Sequence, residues 1–144
     1  MKIALIGDIA LYGKFSTSNK EIFNYLYSIK KVLSECDYVI GNLETPFADK
    51  RMRPYGHKSA HIKAKPDNIK ILKYLGVNAV CLANNHTFDY GEVSFELTKQ
   101  ILKDNNIEDA NMKAKIVLAD LLGKNKEYLM IHDDDDIKDG LNKI

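Results

Sequence analysis

The chain has 144 residues, of which 45% are hydrophobic and 28% charged, enough for one globular domain with a core. The net charge of +1 gives no basis for a nucleic-acid partner. No apolar run reaches the ~20 residues of a transmembrane helix, and no signal-peptide pattern is present, so we expect a cytoplasmic protein without a membrane segment. Cys36 and Cys81 lie in or beside apolar segments and are expected to be buried, reduced cysteines.

The first elements predicted along the chain are a strand, a helix and a second strand. Residues 3–6 are a short apolar run that ends at Gly7-Asp8, which is typical of a buried strand. A helix is predicted over 18–35, where Ser18 and Glu21 have the spacing of a capping box. Its apolar positions repeat at helical intervals and are Ile22, Leu26, Ile29 and Leu33. CDYVIGN, residues 36–42, predicts the second strand.

A long loop and a second set of alternating elements follow. Residues 45–65 show no periodicity and are predicted to be a loop, which at this length is often functional. A second helix is predicted from Pro66 or Asp67 to Gly76, and VNAVCLA, residues 77–83, is predicted to be the third strand. The third predicted helix spans 90–104. Its apolar stripe is Val93, Leu97 and Ile101, and its capping-box pair is Asp89 and Glu92.

This alternation predicts an α/β fold with a parallel sheet and right-handed crossovers. After residue 105 the pattern is weaker. AKIVLADLL and EYLMIH are each candidate strands, and the first could equally be a short helix. HDDDDIKDG is an acidic, turn-like run that is typical of a solvated surface.

Polar side chains follow each of the three predicted strands. Asp8 ends the first strand, Asn42 and Glu44 end the second, and Asn84, Asn85 and His86 end the third. Because ligands bind beyond the carboxyl ends of parallel strands, we expect these groups to converge on one edge of the sheet. Carboxylate and amide oxygens suit Mg²⁺ or Mn²⁺, and an imidazole extends the choice to Zn²⁺ or Fe. A histidine that does not bind the metal could donate a proton to a leaving oxygen.

Each of these residues also has a purely structural interpretation. Asp8 could be a turn residue, and Glu44 a solvated carboxylate. The two asparagines could be turn residues that tolerate the left-handed region, and His86 a surface histidine. Asp89 is predicted to be a helix N-cap. His57 and His61 have i, i+4 spacing but lie in the loop beside Gly56, so they are predicted not to be ligands.

Three motifs resemble the CapA family, whose members take part in capsule or poly-γ-glutamate synthesis and are similar to calcineurin-like metallophosphatases. The motifs are GDIAL at 7–11, GNLETP at 41–46 and LANNHTFDYG at 82–91. The resemblance covers about residues 1–107, so residues 108–144 are treated as a divergent, unassigned tail. It implies a metallophosphatase-like α/β/β/α sandwich, of which this chain would be roughly the first half.

The resemblance also implies roles for individual residues. Asp8, Glu44 and Asn85 would bind a divalent metal, Mn²⁺ before Mg²⁺, Zn²⁺ or Fe, and His86 beside them would be the general acid. Asn84 is expected to orient the site. The activity implied is that of a metal-dependent phosphoesterase-like hydrolase within capsule or polyglutamate assembly, whose other components would be its partners.

The resemblance is incomplete, because the histidine-rich motif of the family's second half has no counterpart here, and His132 lies in no matching context. The alternative function is therefore a non-catalytic remnant or accessory module of the same fold. The absent second layer is also expected to leave apolar sheet surface uncovered. A dimer or a partner chain could cover that surface.

Overall fold

Alternating strands and helices build one parallel sheet, as the sequence pattern predicts. The protein is described here from a computed structural model, which defines residues 2–110. The strands are β1 (Ile3–Ile9), β2 (Tyr38–Leu43), β3 (Ala79–Cys81) and β4 (Glu108–Asp109), and they lie in that order with every neighbouring pair parallel. The helices are α1 (Ile22–Leu33), α2 (Ile69–Leu75) and α3 (Gly91–Asp104). The predicted α/β fold is thus confirmed, while the candidate elements beyond Ala110 lie outside the described residues.

Helix α1 packs an apolar stripe against the sheet, but its start differs from the prediction. Three of the four predicted core residues are buried, whereas Ile29 is exposed. Ser18 and Glu21 do not form a capping box, because Glu21 at the N-cap makes no side-chain cap hydrogen bond. The Ser18 hydroxyl instead accepts a hydrogen bond from Lys65 Nζ at 2.7 Å. This contact links the residues just before α1 to the end of the long loop.

Helix α2 begins and ends where local chemistry predicts. A 3-10 turn at Pro66–Asn68 leads into it, and Gly76 ends it with a φ of 75°, a conformation that favours glycine. The predicted core residues Ile69, Leu72 and Leu75 are buried. The second helix, its core residues and its end at Gly76 are therefore confirmed, whereas Pro66 and Asp67 lie in the 3-10 turn and α2 itself begins at Ile69.

Helix α3 buries two hydroxyl residues that its predicted apolar stripe does not include. Val93 is exposed, and the buried positions are Ser94, Thr98 and Leu102. The two hydroxyls are needed there because the Phe47 amide donates to Thr98 Oγ1 at 2.8 Å and Ser94 Oγ donates to the Phe47 carbonyl at 2.9 Å. Phe47 pairs with Ala64 in an isolated parallel bridge, but the bridge hydrogen bonds use the Pro46 carbonyl and the Ala48 amide, so the buried amide and carbonyl of Phe47 need side-chain partners. Leu97 and Ile101 of the predicted apolar stripe are half-buried, and Ile101 packs against the core, so the prediction is wrong for Val93 and holds in part for the other two.

An irregularity in β1 decides which side of the sheet Asp8 occupies. Leu5 pairs with Ile40, but the next paired residue, Asp8, lies opposite Asn42, so β1 has one extra residue between the two pairs. An extra residue reverses the alternation of side chains along a strand. Asp8 consequently shares a face with Asn42 and not with the helix-covered residue Ile9.

Apolar surface is exposed on the sheet face that α1 and α2 do not cover. On β1, Leu5 is 79% exposed and Ile3 is 47% exposed. The expected exposure of apolar side chains is therefore present on β1, the edge strand of the sheet that residues 2–110 form, although Ala79 on β3 is fully buried. Cys36 and Cys81 are partly exposed, in contrast to the predicted burial. Among residues 2–110, the helices are too short and too polar to span a bilayer.

Candidate functional site

The carboxyl ends of the first three strands are joined by a chain of side-chain hydrogen bonds. Asn42 Nδ2 donates to Asp8 Oδ1 at 2.7 Å, and Asn84 Nδ2 donates to Asn42 Oδ1 at 3.1 Å. Asn84 Nδ2 also donates to the carbonyl of Leu43 at 2.9 Å. The predicted convergence of polar groups at one sheet edge is therefore observed for Asp8, Asn42 and Asn84.

The turn after β3 presents His86 toward the same edge. Asn84 Oδ1 accepts a hydrogen bond from the His86 amide at 3.0 Å, an arrangement by which asparagine stabilises tight turns. The buried hydroxyl of Thr87 donates to the Leu82 carbonyl and closes the turn. Asn84 thus links the strand ends with its amide nitrogen and shapes the histidine's backbone with its amide oxygen.

His86 lies between two carboxylates. Its Nε2 atom is 3.8 Å from Glu44 Oε1, and its Nδ1 atom is 2.7 Å from Asp89 Oδ2. A carboxylate in its ionised form only accepts hydrogen bonds, so Nδ1 carries the proton shared with Asp89. The Nε2 atom is the ring nitrogen that faces Glu44 and the strand ends.

Asp89 is a fully buried carboxylate that receives three hydrogen bonds. Besides His86, the donors are Lys58 Nζ to Oδ1 at 2.6 Å and the Ile62 amide to Oδ2 at 2.8 Å. Burial by itself would raise the pKa of Asp89, but the hydrogen bonds from Lys58, His86 and Ile62 together hold its pKa below the ordinary value of 3.8. Asp89 is therefore ionised at neutral pH and binds the long loop to the histidine turn.

Asn85 is placed differently from the other predicted ligands. The residue is exposed, and its backbone carbonyl accepts a hydrogen bond from Lys58 Nζ. Its side-chain amide has no hydrogen-bond partner among residues 2–110. The structure thus joins Asp8 to the asparagine chain and Glu44 to His86, while Asn85 stands beside them without a side-chain contact.

Two residues of this cluster, Asp89 and Lys58, were not assigned to it from sequence. Asp89 had a usable signal in its i, i+3 spacing to His86, but it was predicted to be a helix N-cap. The N-cap of α3 is instead Tyr90, and the Asp89 carboxylate accepts hydrogen bonds from the loop and the histidine. Lys58 has no recognisable sequence signal, since its contacts depend on how an irregular loop folds back.

The donor types fit a divalent cation, but the described residues provide few of them. Two carboxylates and one amide oxygen are ligands that Mn²⁺ and Mg²⁺ accept, commonly in sets of about six oxygens. Within residues 2–110, no three His, Cys, Asp or Glu side chains lie close enough together to hold a metal. Asp8, Glu44 and Asn85 could therefore hold a cation only with further ligands such as water.

The loop histidines show no arrangement of their own that suggests a site. His61 Nε2 is 3.0 Å from the Tyr55 carbonyl, and its ring lies edge-on to Tyr90. These contacts are of the kind that stabilise a loop. His132 and the acidic run beside it lie outside the described residues.

Comparison with known proteins gives a consistent match. A model of the family described as "Bacterial capsule synthesis protein PGA_cap" matches residues 2–115. The chain is 31% identical over 116 residues to the capsule biosynthesis protein CapA of Bacillus anthracis, an alignment that covers 75% of this chain and 27% of that protein. It is 27% identical over 93 residues to the PGA biosynthesis protein CapA of Bacillus subtilis strain 168, covering 63% of this chain and 24% of that protein. The chain spans about a quarter of the length of these curated relatives.

Proposed function

The chain belongs to the PGA_cap family of bacterial capsule synthesis proteins, and from that premise we propose that it carries a metal-dependent, phosphoesterase-like site that acts in making a capsule polymer such as poly-γ-glutamate. The fold of this family is metallophosphatase-like, and residues 2–110 form a parallel α/β part of it. The observation that carries the proposal is the strand-end cluster, in which Asp8 is bonded to Asn42 and His86 lies between Glu44 and Asp89.

Each residue has a separate role in this proposal. Asp8, Glu44 and Asn85 would hold a divalent cation, Mn²⁺ first, which would supply the Lewis acidity that phosphoester hydrolysis requires. Asn42 and Asn84 would keep the Asp8 carboxylate and the histidine turn in place. With Nδ1 donating to the ionised Asp89 carboxylate, His86 would give a proton to the leaving oxygen from Nε2 when the ring is doubly protonated, a form whose charge Asp89 stabilises.

The charge of the loop between β2 and α2 supports an anionic substrate. From Pro46 to Lys65 the chain has six basic side chains and one acidic side chain, whereas the net charge of the whole chain is +1. Arg51 is 93% exposed at its side chain, and Arg53 is exposed as well. Lysine and arginine bind phosphate and carboxylate groups, which are the groups of a phosphoester or an acidic polymer.

Metal content measures this proposal most directly. We would load the purified chain with Mn²⁺, remove the excess and compare bound manganese in the wild type with that in Asp8→Ala and Asn85→Ala. Glu92→Ala is the matched control, because Glu92 is an exposed carboxylate at the start of α3. We expect near-stoichiometric metal in the wild type and the control, and loss in both site variants. Phosphoester hydrolysis would then be assayed on the same four proteins.

A second candidate function is an accessory module that keeps the fold without turnover. It is favoured by the small number of ligands that come together within residues 2–110. No manganese in the wild type, or equal manganese in all four proteins, would contradict the metal site and support this second function.

A further inference from the structure

Most of the hydrogen bonds that hold the long loop to the histidine turn are made to Asp89. Asp89 receives Lys58 Nζ and the Ile62 amide on its carboxylate, and the Tyr55 amide donates to its backbone carbonyl at 2.8 Å. Residues 55–62 have no helix or strand of their own. Their conformation therefore depends on these three hydrogen bonds more than on any regular backbone ladder.

The same carboxylate is the partner of the proposed general acid. Asp89 Oδ2 accepts from His86 Nδ1 at 2.7 Å while also accepting from Ile62 at 2.8 Å. Lys58 Nζ additionally donates to the carbonyl of Asn85, so one ammonium group contacts the residues on both sides of His86. The Lys58 side chain is 37% exposed and the Asp89 side chain is fully buried, which means that solvent reaches the cation but not its partner.

We infer that Lys58 and Asp89 form a latch through which the 55–62 loop sets the ring orientation and the tautomer of His86. Lys58 is in this view a positioning residue: it touches no reacting group and acts on the histidine through Asp89 and the Asn85 carbonyl. The inference rests on the proposed role of His86, but it concerns a coupling that exists without metal or substrate.

The physical reason is that Asp89 can keep the His86 proton on Nδ1 only while the Asp89 carboxylate is itself held in place. A buried carboxylate without a cation nearby is costly, so removal of the ammonium group favours a shift of Asp89 toward water or a rearranged loop. Either change releases Nδ1 from a strong acceptor, and the neutral ring is then free to place its proton on Nε2. A histidine with its proton on Nε2 and no partner on Nδ1 has lost the arrangement that the structure shows.

The test uses the full 144-residue chain and four proteins. They are the wild type, Lys58→Met, Lys58→Arg and the loop control Lys50→Met, whose lysine is exposed and forms no side-chain hydrogen bond or ion pair within residues 2–110. With ¹⁵N-labelled histidine, two-bond ¹H–¹⁵N couplings report the tautomer of each ring at a pH where it is neutral, and His86→Gln identifies the signal of His86. Hydrogen exchange of the Tyr55 and Ile62 amides reports the loop in the same samples.

We expect the Nδ1-protonated tautomer and slow exchange in the wild type and in Lys50→Met. Lys58→Met is expected to give a mixed tautomer at His86 and about tenfold faster exchange at Ile62, since a hydrogen bond to a charged group is lost. Lys58→Arg is expected to restore both signals in large part.

Two results would overturn the inference. One is an unchanged His86 tautomer in Lys58→Met together with faster loop exchange, which would mean that the loop is fastened but does not set the ring. The other is no change in either signal. Asp89→Asn serves as the second variant if Lys58→Met fails to fold, and an Nδ1-protonated His86 in that variant would equally contradict the latch. Because neither signal requires manganese or turnover, a failed metal site would leave this test intact.

Discussion

At the scale of single residues, ionised Asp89 makes the free energy of unfolding depend on pH. Its folded-state pKa lies below 3.8, so ionised Asp89 stabilises the fold at neutral pH, and this contribution is lost as the pH falls through the lowered pKa. Asp89→Asn should therefore be less stable than the wild type at about pH 6, and the difference should shrink toward about pH 3. Urea unfolding at several pH values would measure both curves.

Other carboxylates do not confuse this comparison. The pKa of Asp49 is also lowered, first by the Arg51 backbone amide, and that of Asp67 is lowered first by Lys70. Both residues are present in both proteins, so their contributions to the pH dependence of stability cancel in the difference. A stability difference that stays constant from neutral to acidic pH would show that Asp89 acts through shape alone.

The hydroxyl of Thr98 is a second residue whose role is visible only in the structure. It accepts from the Phe47 amide and donates to the Ser94 carbonyl, and all three residues are buried. Thr98→Val keeps the shape but leaves the Phe47 amide without an acceptor, which should lower the free energy of unfolding by about 1–3 kcal/mol. The reverse exchange Val93→Thr, at a position 71% exposed, should change it by less than about 0.5 kcal/mol. Chemical denaturation would compare the two, and equal effects would contradict the assigned role.

These residues show what sequence reasoning reaches and where it stops. The polar groups at the strand ends were predictable because parallel strands bring their carboxyl ends to one edge, and Asp8, Glu44 and His86 do lie in one cluster. The partners of Asp89 were not predictable, because Lys58 and Ile62 reach it from a loop without periodicity. Metal binding by Asp8, Glu44 and Asn85 and acid catalysis by His86 stay predictions.

At the scale of elements, the end of α2 depends on a single glycine. Gly76 has a φ of 75°, and a Cβ there would meet only the mobile end of Lys30 at 3.4 Å, so the cost of a side chain is conformational. Gly76→Ala should lower the free energy of unfolding by about 1–2 kcal/mol. Gly7→Ala is the matched control, since Gly7 lacks a positive φ and no atom lies within 4 Å of its added Cβ. A thermal denaturation series in which both variants lost the same stability would rule out this explanation.

Elements differ in how far the sequence determines them. The bounds of α2 follow from Pro66 and Gly76, which act locally on their own backbone. No local sequence pattern predicts the extra residue in β1 or the two-residue strand β4, because both depend on pairing with distant segments. This matters for the site, because the irregularity in β1 places Asp8 beside Asn42.

At the scale of the whole molecule, the two faces of the sheet contribute unequally to stability. The face toward the helices contains Val39, which is 2% exposed, whereas Leu5 on the opposite face is 79% exposed. Burial of apolar area is the main source of stability, so the two positions should respond differently to the same polar replacement.

Replacing each residue by threonine tests that difference. Val39→Thr buries a hydroxyl among apolar side chains and should lower the free energy of unfolding by about 1–3 kcal/mol. Leu5→Thr should change it by less than about 0.5 kcal/mol and should raise the concentration at which the chain aggregates, because β1 is an edge strand with exposed apolar residues. Urea unfolding and light scattering over a concentration series would measure the two effects. A large loss of stability in Leu5→Thr would mean that Leu5 is covered in solution, for example by a dimer or a partner chain on this face of the sheet.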